Sequence, residues 1–293
     1  MPNLSPKPTI HRTAALIVTA ALVIAACGDA DDESTSEVPP EAASVVNRSA
    51  EPVGANRAVL EVDSTWQWQL DGPINTSYDV DVYDIDLFES PTATIAELSD
   101  DGRIVICYFS AGSYEEWRED AQGLPVAALG TPLDGWEDER WVDVRSEAVR
   151  DLMETRLDLA VSKGCDGVEP DNVAAYDDET GFDFTLEDQL AYNRFLADAA
   201  HDRGLLIGLK NALDQIPDLV DQFDFAVNEQ CHEYDECEMN RPFVNAGKPV
   251  FNAEYAADLV GDPETVCANA AAAGIRTLLL SIDLDDSLRI SCD

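Results

Sequence analysis

Histidine is nearly missing from this 293-residue chain, with three in all at His11, His201 and His232. His201 falls in a helical pattern and His232 in a loop, neither with a nucleophile elbow, so Ser-His-Asp chemistry lacks its base. With no His pair and no Cys-x-x-Cys, the usual zinc ligand sets are missing too, and no metal is expected. Basic side chains are also scarce: 18 Lys and Arg stand against 59 Asp and Glu, a formal charge of −41. A field of that sign repels nucleic acid and anionic lipid, so neither is expected as a partner, and it attracts cationic ligands. It also serves solubility, so charge alone does not name a substrate. No GxGxxG or GxxxxGK[ST] turn occurs, and no cofactor is expected.

Long apolar runs are lacking as well. After Lys7 and Arg12 comes a 14-residue uncharged stretch from Thr13 to Ala26. It is too short to span a bilayer and suits the h-region of an export signal. It ends Val23-Ile24-Ala25-Ala26-Cys27, which resembles a bacterial lipobox, with small residues before a cysteine that is lipidated after cleavage. Residues 1–26 are therefore read as a lipoprotein signal peptide and Cys27 as the lipid-bearing N-terminus of an exported, envelope-anchored protein. That lipid would be its only membrane attachment. Residues 27–57, rich in Asp, Glu, Ser, Pro and Ala, cannot bury enough apolar surface to offset chain entropy and read as a disordered acidic tether. Residues 58–293 are enough for one large core, expected as a monomer.

What is there is a repeating pattern of helix, glycine, apolar strand and polar tip. Strands are expected at Thr65–Leu70, Tyr78–Leu87, Arg103–Phe109, Asp166–Asn172, Leu205–Asn211, Asp224–Glu229, Pro249–Tyr255 and Thr277–Ile282. Residues 110–145 read as a long irregular loop. Ser146, Thr185 and Asp262 are placed to open helices, with Gly164, Gly204 and Gly274 to end them. Apolar strands alternating with helices imply a parallel sheet, and eight of them favour an α/β fold closed as a (β/α)8 TIM barrel over an open sheet. Six cysteines remain beyond Cys27, an even number suited to an oxidising compartment. Spacing favours Cys107 with Cys165, Cys231 with Cys237 and Cys267 with Cys292, without excluding other pairings.

In such a barrel the C-terminal strand ends line the active site. The tips then converge: Trp66 and Gln69, Asp84, Tyr108, Asp171 and Asn172, Lys210 and Asn211, Glu229 and Gln230, Glu254 and Tyr255, and Asp283. This set has carboxylates, amides and aromatics but no histidine. Glycoside hydrolysis needs one carboxyl group to protonate the leaving oxygen and a second as nucleophile or base. Asp171 and Glu229, on strands four and six, would face each other across the mouth and form the pair, with the other tips as substrate contacts. Lys210 is open to three roles: Schiff-base lysine, charge balance among acids, or substrate contact. Glu169 reads as an internal polar contact. Asp166 and Asp224 open their strands at the opposite end. Trp117, Trp136 and Trp141 suit either a sugar platform or loop packing.

The segments Trp66-Gln-Trp-Gln-Leu-Asp-Gly, Cys107-Tyr-Phe-Ser-Ala-Gly-Ser-Tyr-Glu, Gly164-Cys-Asp-Gly-Val-Glu-Pro-Asp-Asn-Val and Val227-Asn-Glu-Gln-Cys resemble glycoside hydrolase family 114, the endo-α-1,4-polygalactosaminidases. The likeness runs in the same order from about residue 60 to 292. It implies a (β/α)8 barrel that cuts α-1,4-linked galactosamine polymers internally with retention. Asp171 would be the nucleophile and Glu229 the general acid/base, the pair being better marked than the division of roles. Such a polymer is cationic where its amines are free, which suits the acidic chain. A non-catalytic surface protein that binds polysaccharide in the same groove is the alternative left by the sequence.

Overall fold

The computed structural model describes residues 58–292 apart from 258 and 260. The expected export signal, Cys27 and the expected tether lie outside the described residues. Eight parallel strands form the sheet: β1 (Trp66–Gln69), β2 (Val82–Asp86), β3 (Ile104–Ser110), β4 (Gly167–Asp171), β5 (Leu206–Lys210), β6 (Phe225–Glu229), β7 (Val250–Tyr255) and β8 (Arg276–Leu280). They are hydrogen-bonded in that order. A short β9 (Arg289–Ser291) adds antiparallel to β8. The sheet curls until its ends meet. Trp66 of β1 stacks on Phe251 of β7 with ring centroids 5.0 Å apart. Its indole N–H donates to the Arg276 carbonyl at the start of β8 (3.1 Å). Arg289 of β9 donates to the Trp66 carbonyl (2.9 Å). This is the (β/α)8 TIM-barrel-like fold that the strand count implied.

The eight parallel strands are buried on both faces, which is why they read as near-continuous apolar runs. Trp66, Trp68, Val82, Ile106, Leu206, Phe225, Phe251 and Leu278 fill the barrel. Their neighbours in sequence, such as Val105, Cys107, Val168 and Ile207, face outward to the helices. Phe251→Ala would open a cavity at the barrel's centre and cost about 3–5 kcal/mol. The covering helices are α1 (Thr92–Asp100), α2 (Glu147–Lys163), α3 (Leu186–Asp202), α4 (Ile216–Leu219), α5 (Arg241–Asn245) and α6 (Pro263–Ala273). Thr185 and Asp188 form a reciprocal capping box on α3. Asp262 caps α6, with Pro263 in its first turn and Gly274 left-handed at its end. Ser146 precedes α2 in an extended conformation, but its side chain makes no capping bond. All three disulfides join the pairs that spacing favoured.

Three stretches differ from the expectation. Strand β2 starts at Val82 rather than Tyr78, because side chains take over the bonding there: Asp81 accepts from the Thr65 amide and hydroxyl (both 2.8 Å). Residues 110–145 are not irregular throughout. They carry a small antiparallel sheet of Ser113–Glu115, Leu129–Leu133 and Trp136–Val142. Acids and Pro132 hide its alternation, although Asp134-Gly135, with Gly135 at φ +81°, is a hairpin turn in composition. The last parallel strand stops at Leu280, which leaves Asp283 beyond it and exposed.

Candidate active site

Strands β4, β5 and β6 end in one repeated local design. The last strand residue carries a charge, and the next residue turns left-handed: Asn172 at φ +60°, Asn211 at +50° and Gln230 at +60°. Asn adopts that conformation readily through local hydrogen bonding, and Gln at some cost. The reversal leaves Asp171, Lys210 and Glu229 as the final side chains of adjacent strands, and these three meet. The Lys210 ammonium lies 3.2 Å from Asp171 Oδ1, 3.3 Å from Glu229 Oε2 and 3.1 Å from Glu169 Oε1. Those first two limbs cap the separation of the Asp171 and Glu229 oxygens at about 6.5 Å.

Lys210 is only 3% exposed. Burial alone would lower its ammonium, but the charges of Asp171, Glu169 and Glu229 outweigh it and hold Lys210 well above its ordinary value. It is a fixed cation, over the Trp68 ring at 4.8 Å from the centroid. A Schiff-base role needs a neutral amine, so charge balance among acids is the role this geometry gives it.

Each outer carboxylate has a phenol beside it. Tyr108 donates to Asp171 Oδ2 (2.8 Å), and Tyr255 donates to Glu229 Oε1. Burial, then the neighbouring carboxylate, pushes both phenols well above their ordinary value, so they stay neutral donors. Asn211 brackets Glu229, accepting from its backbone N–H (3.0 Å) and donating to Oε2 (3.5 Å). The Asn172 side chain donates to Ser110 (2.9 Å), which ties the Asp171 tip to β3. Asp171 and Glu229 keep 19% and 27% of their side-chain surface open, while Glu169 has none. Two accessible carboxylates with fixed donors on their inner sides can divide acid and nucleophile work.

Seven of the expected site residues come together here: Tyr108, Asp171, Asn172, Lys210, Asn211, Glu229 and Tyr255. The other six are not among the contacts of Asp171, Lys210 and Glu229. Trp66 is fully buried in the barrel and offers no face to the mouth. Gln69 donates to the Asp71 and Pro73 carbonyls (3.1 and 2.9 Å) and accepts from Asn75, so it shapes its own loop. Glu254 is fully buried and accepts from the His232 backbone and Asn252 (2.9 Å each). Gln230 pairs its side chain with Glu233. Asp283 is exposed beyond β8. Asp84 is buried beside Glu169, where burial and then the Glu169 charge keep its carboxyl well above the ordinary range and protonated. Neither of its oxygens has a hydrogen-bond partner among the described residues.

Sequence reading missed Trp68, whose indole N–H donates to Glu169 Oε2 (3.1 Å) under the lysine. A signal was present: Trp66 and Trp68 share a face by period two, and the second lies one layer nearer the catalytic end. Trp117 and Trp136 are about half exposed, whereas Trp141 packs on the core. Cys231, His232 and Cys237 cluster as metal ligands do, but both sulfurs are in a disulfide and no thiolate is available.

A family model described as glycoside-hydrolase family GH114 matches residues 47–293. The chain belongs to glycoside hydrolase family 114. It is a glycoside hydrolase, endo-α-1,4-polygalactosaminidase-like, as its motifs implied. Among solved structures it is similar to Aspergillus fumigatus Ega3 in complex with galactosamine, at 42% identity over 80% of this chain and 98% of that one, with a TM-score of 0.76. The glycoside hydrolase domain of PelA from Pseudomonas aeruginosa shares the fold at 14% identity and a TM-score of 0.61, over 78% of this chain and 98% of that domain. No curated protein sequence matches the chain. In this family-114 barrel the carboxylates that end strands four and six both face the Lys210 ammonium and both keep some open surface.

Proposed function

We propose that the chain cuts α-1,4-linked galactosamine-containing polysaccharide at internal bonds, with retention of configuration. The observation that carries this reading is the lysine bridge between Asp171 and Glu229. Its distances of 3.2 and 3.3 Å to one oxygen of each cap the separation of those oxygens at about 6.5 Å, where the range of inverting enzymes only begins, and so favour retention. In the first step Glu229 gives its proton to the glycosidic oxygen while Asp171 attacks the anomeric carbon and the aglycone leaves. In the second, Glu229 takes a proton from water, which displaces Asp171 and restores both groups. The Ega3 structure, holding galactosamine at 42% identity, supports the amino sugar. A chain of formal charge −41 also favours a polymer with free amines.

The decisive experiment follows products from galactosamine oligomers, deacetylated and acetylated, with proton NMR of the first anomer released. The account expects shortening of the deacetylated oligomer and an α-anomer first. A β-anomer would overturn retention, and no shortening of either oligomer would overturn the substrate. We also propose that Cys27 carries a lipid on an exported protein. Palmitate labelling of the full chain should disappear in Cys27→Ala, and persistence of the label would refute the assignment.

A further inference from the structure

Glu169 sits two residues before Asp171 on β4 and is fully buried, yet the proposed reaction gives it nothing to do. Solvent does not reach it. One oxygen accepts from the Trp68 indole (3.1 Å) and the other faces the Lys210 ammonium (3.1 Å). The same ammonium reaches Asp171 and Glu229 at nearly the same distance. One cation is thus divided among three carboxylates, of which only two can touch substrate. We propose that Glu169 is a positioning and charge-setting residue: by holding a share of Lys210, it governs how strongly that cation stabilises the ionised forms of Asp171 and Glu229. This proposal rests on the assignment of those two carboxylates as the reacting pair.

The surroundings of each group give the sign. Glu169 is faced by Asp84 from β2, Trp68 from β1, Lys210 from β5 and Asp171 from its own strand. Glu229 is faced by Lys210, by Tyr255 from β7 and by Asn211 after β5. Asp171 is faced by Tyr108 from β3 and by Lys210, with Glu139 of the insertion near enough to feel its charge. When Glu169 is ionised it repels both reacting carboxylates and draws Lys210 inward. Both effects favour the protonated forms of Asp171 and Glu229. Burial pushes Glu169 up to about 7, with Lys210 pulling the other way, so its charge changes near neutrality. Asp84 is held towards its neutral form by burial and then by the Glu169 charge, so it adds little charge of its own.

The pH profile of kcat/KM tests this, because a purely structural contact lowers the height of the bell without moving its limbs. Glu169→Gln removes one negative charge at constant shape. Both limbs should move to lower pH together, by about 1 unit for a charge removed at this range, with KM within about twofold. Lys210→Gln should move them the other way. Trp68→Phe removes the indole N–H that stabilises the Glu169 charge; it should move the limbs as Glu169→Gln does, by less, and it carries the claim if Glu169→Gln does not fold. Asp84→Asn exchanges one neutral group for another and should leave the limbs in place. Unmoved limbs in Glu169→Gln, or in Trp68→Phe where Glu169→Gln does not fold, would overturn the proposal, as would an Asp84→Asn shift equal to that of Glu169→Gln. Asp171→Asn and Glu229→Gln run alongside: if either stays active, the pair assignment has failed rather than the role of Glu169.

Discussion

A Cβ on Gly112 would lie 1.7 Å from the Asn172 carbonyl oxygen, closer than any real contact. That glycine lets the chain just after β3 pass against the left-handed residue that follows Asp171, and its amide and that of Ala111 both donate to the Asp171 carbonyl (3.1 and 2.8 Å). Gly112→Ala should cost about 1–3 kcal/mol, the usual range for overpacking, and displace Asp171. Urea unfolding and kcat measured on the same sample should fall together; an unchanged kcat would show that the tip tolerates the shift. At this scale the sequence was informative about charged tips and much less so about their depth. Asp171, Lys210 and Glu229 were legible because each ends a recognisable strand. Trp66, Gln69 and Glu254 were not separable from them, because a strand's pattern tells which face a side chain takes but not how far down the barrel it sits.

Among the elements, the insertion between β3 and α2 is tied to the barrel by buried charge. Arg118 bridges Asp86 at the end of β2 (2.7 Å), Glu89 (3.0 Å) and Glu115 (3.2 Å), and it lies over the Phe88 ring. Arg118→Met leaves the buried Asp86 without its cation, while Glu115 keeps Arg156 at 3.5 Å, and should cost about 3–5 kcal/mol, read as a loss in chemical-denaturation free energy. A smaller loss would mean that the acids protonate instead. The disulfides divide by loop size. Cys107–Cys165 spans 58 residues and Cys231–Cys237 only 6. By loop-closure entropy their removal should cost about 4 and about 2 kcal/mol, so Cys107→Ala/Cys165→Ala should melt well below Cys231→Ala/Cys237→Ala. Equal melting temperatures would contradict an entropic origin. Parallel strands and long helices were readable in sequence because burial on two faces and caps leave strong local marks. The small antiparallel sheet was not, since short strands rich in acids carry almost no apolar alternation.

For the whole molecule, charge and pH act in the same direction. Burial raises Glu139 and Glu169 from 4.5 to about 7. Between those values the folded chain keeps protons that the unfolded chain releases, so this stabilisation is complete below about pH 4.5 and fades as pH rises to about 7. Self-repulsion in a chain of formal charge −41 grows over the same range. Melting temperature should therefore be higher near pH 5 than near pH 8, and a rise towards pH 8 would contradict the buried protons. Activity on a cationic polymer should fall with added salt, since screening shortens to about 3 Å at 1 M, whereas a neutral glycan would show little change. The central claim is that Asp171 and Glu229 together break a glycosidic bond, and one paired measurement tests it most directly. Reducing ends released from galactosamine polymer by Asp171→Asn and by Glu229→Gln are compared with wild type, with melting curves on the same samples. The account predicts a loss of about 10²–10⁴-fold or more in each variant, with the fold intact; a correctly folded variant retaining activity within tenfold of wild type would contradict it.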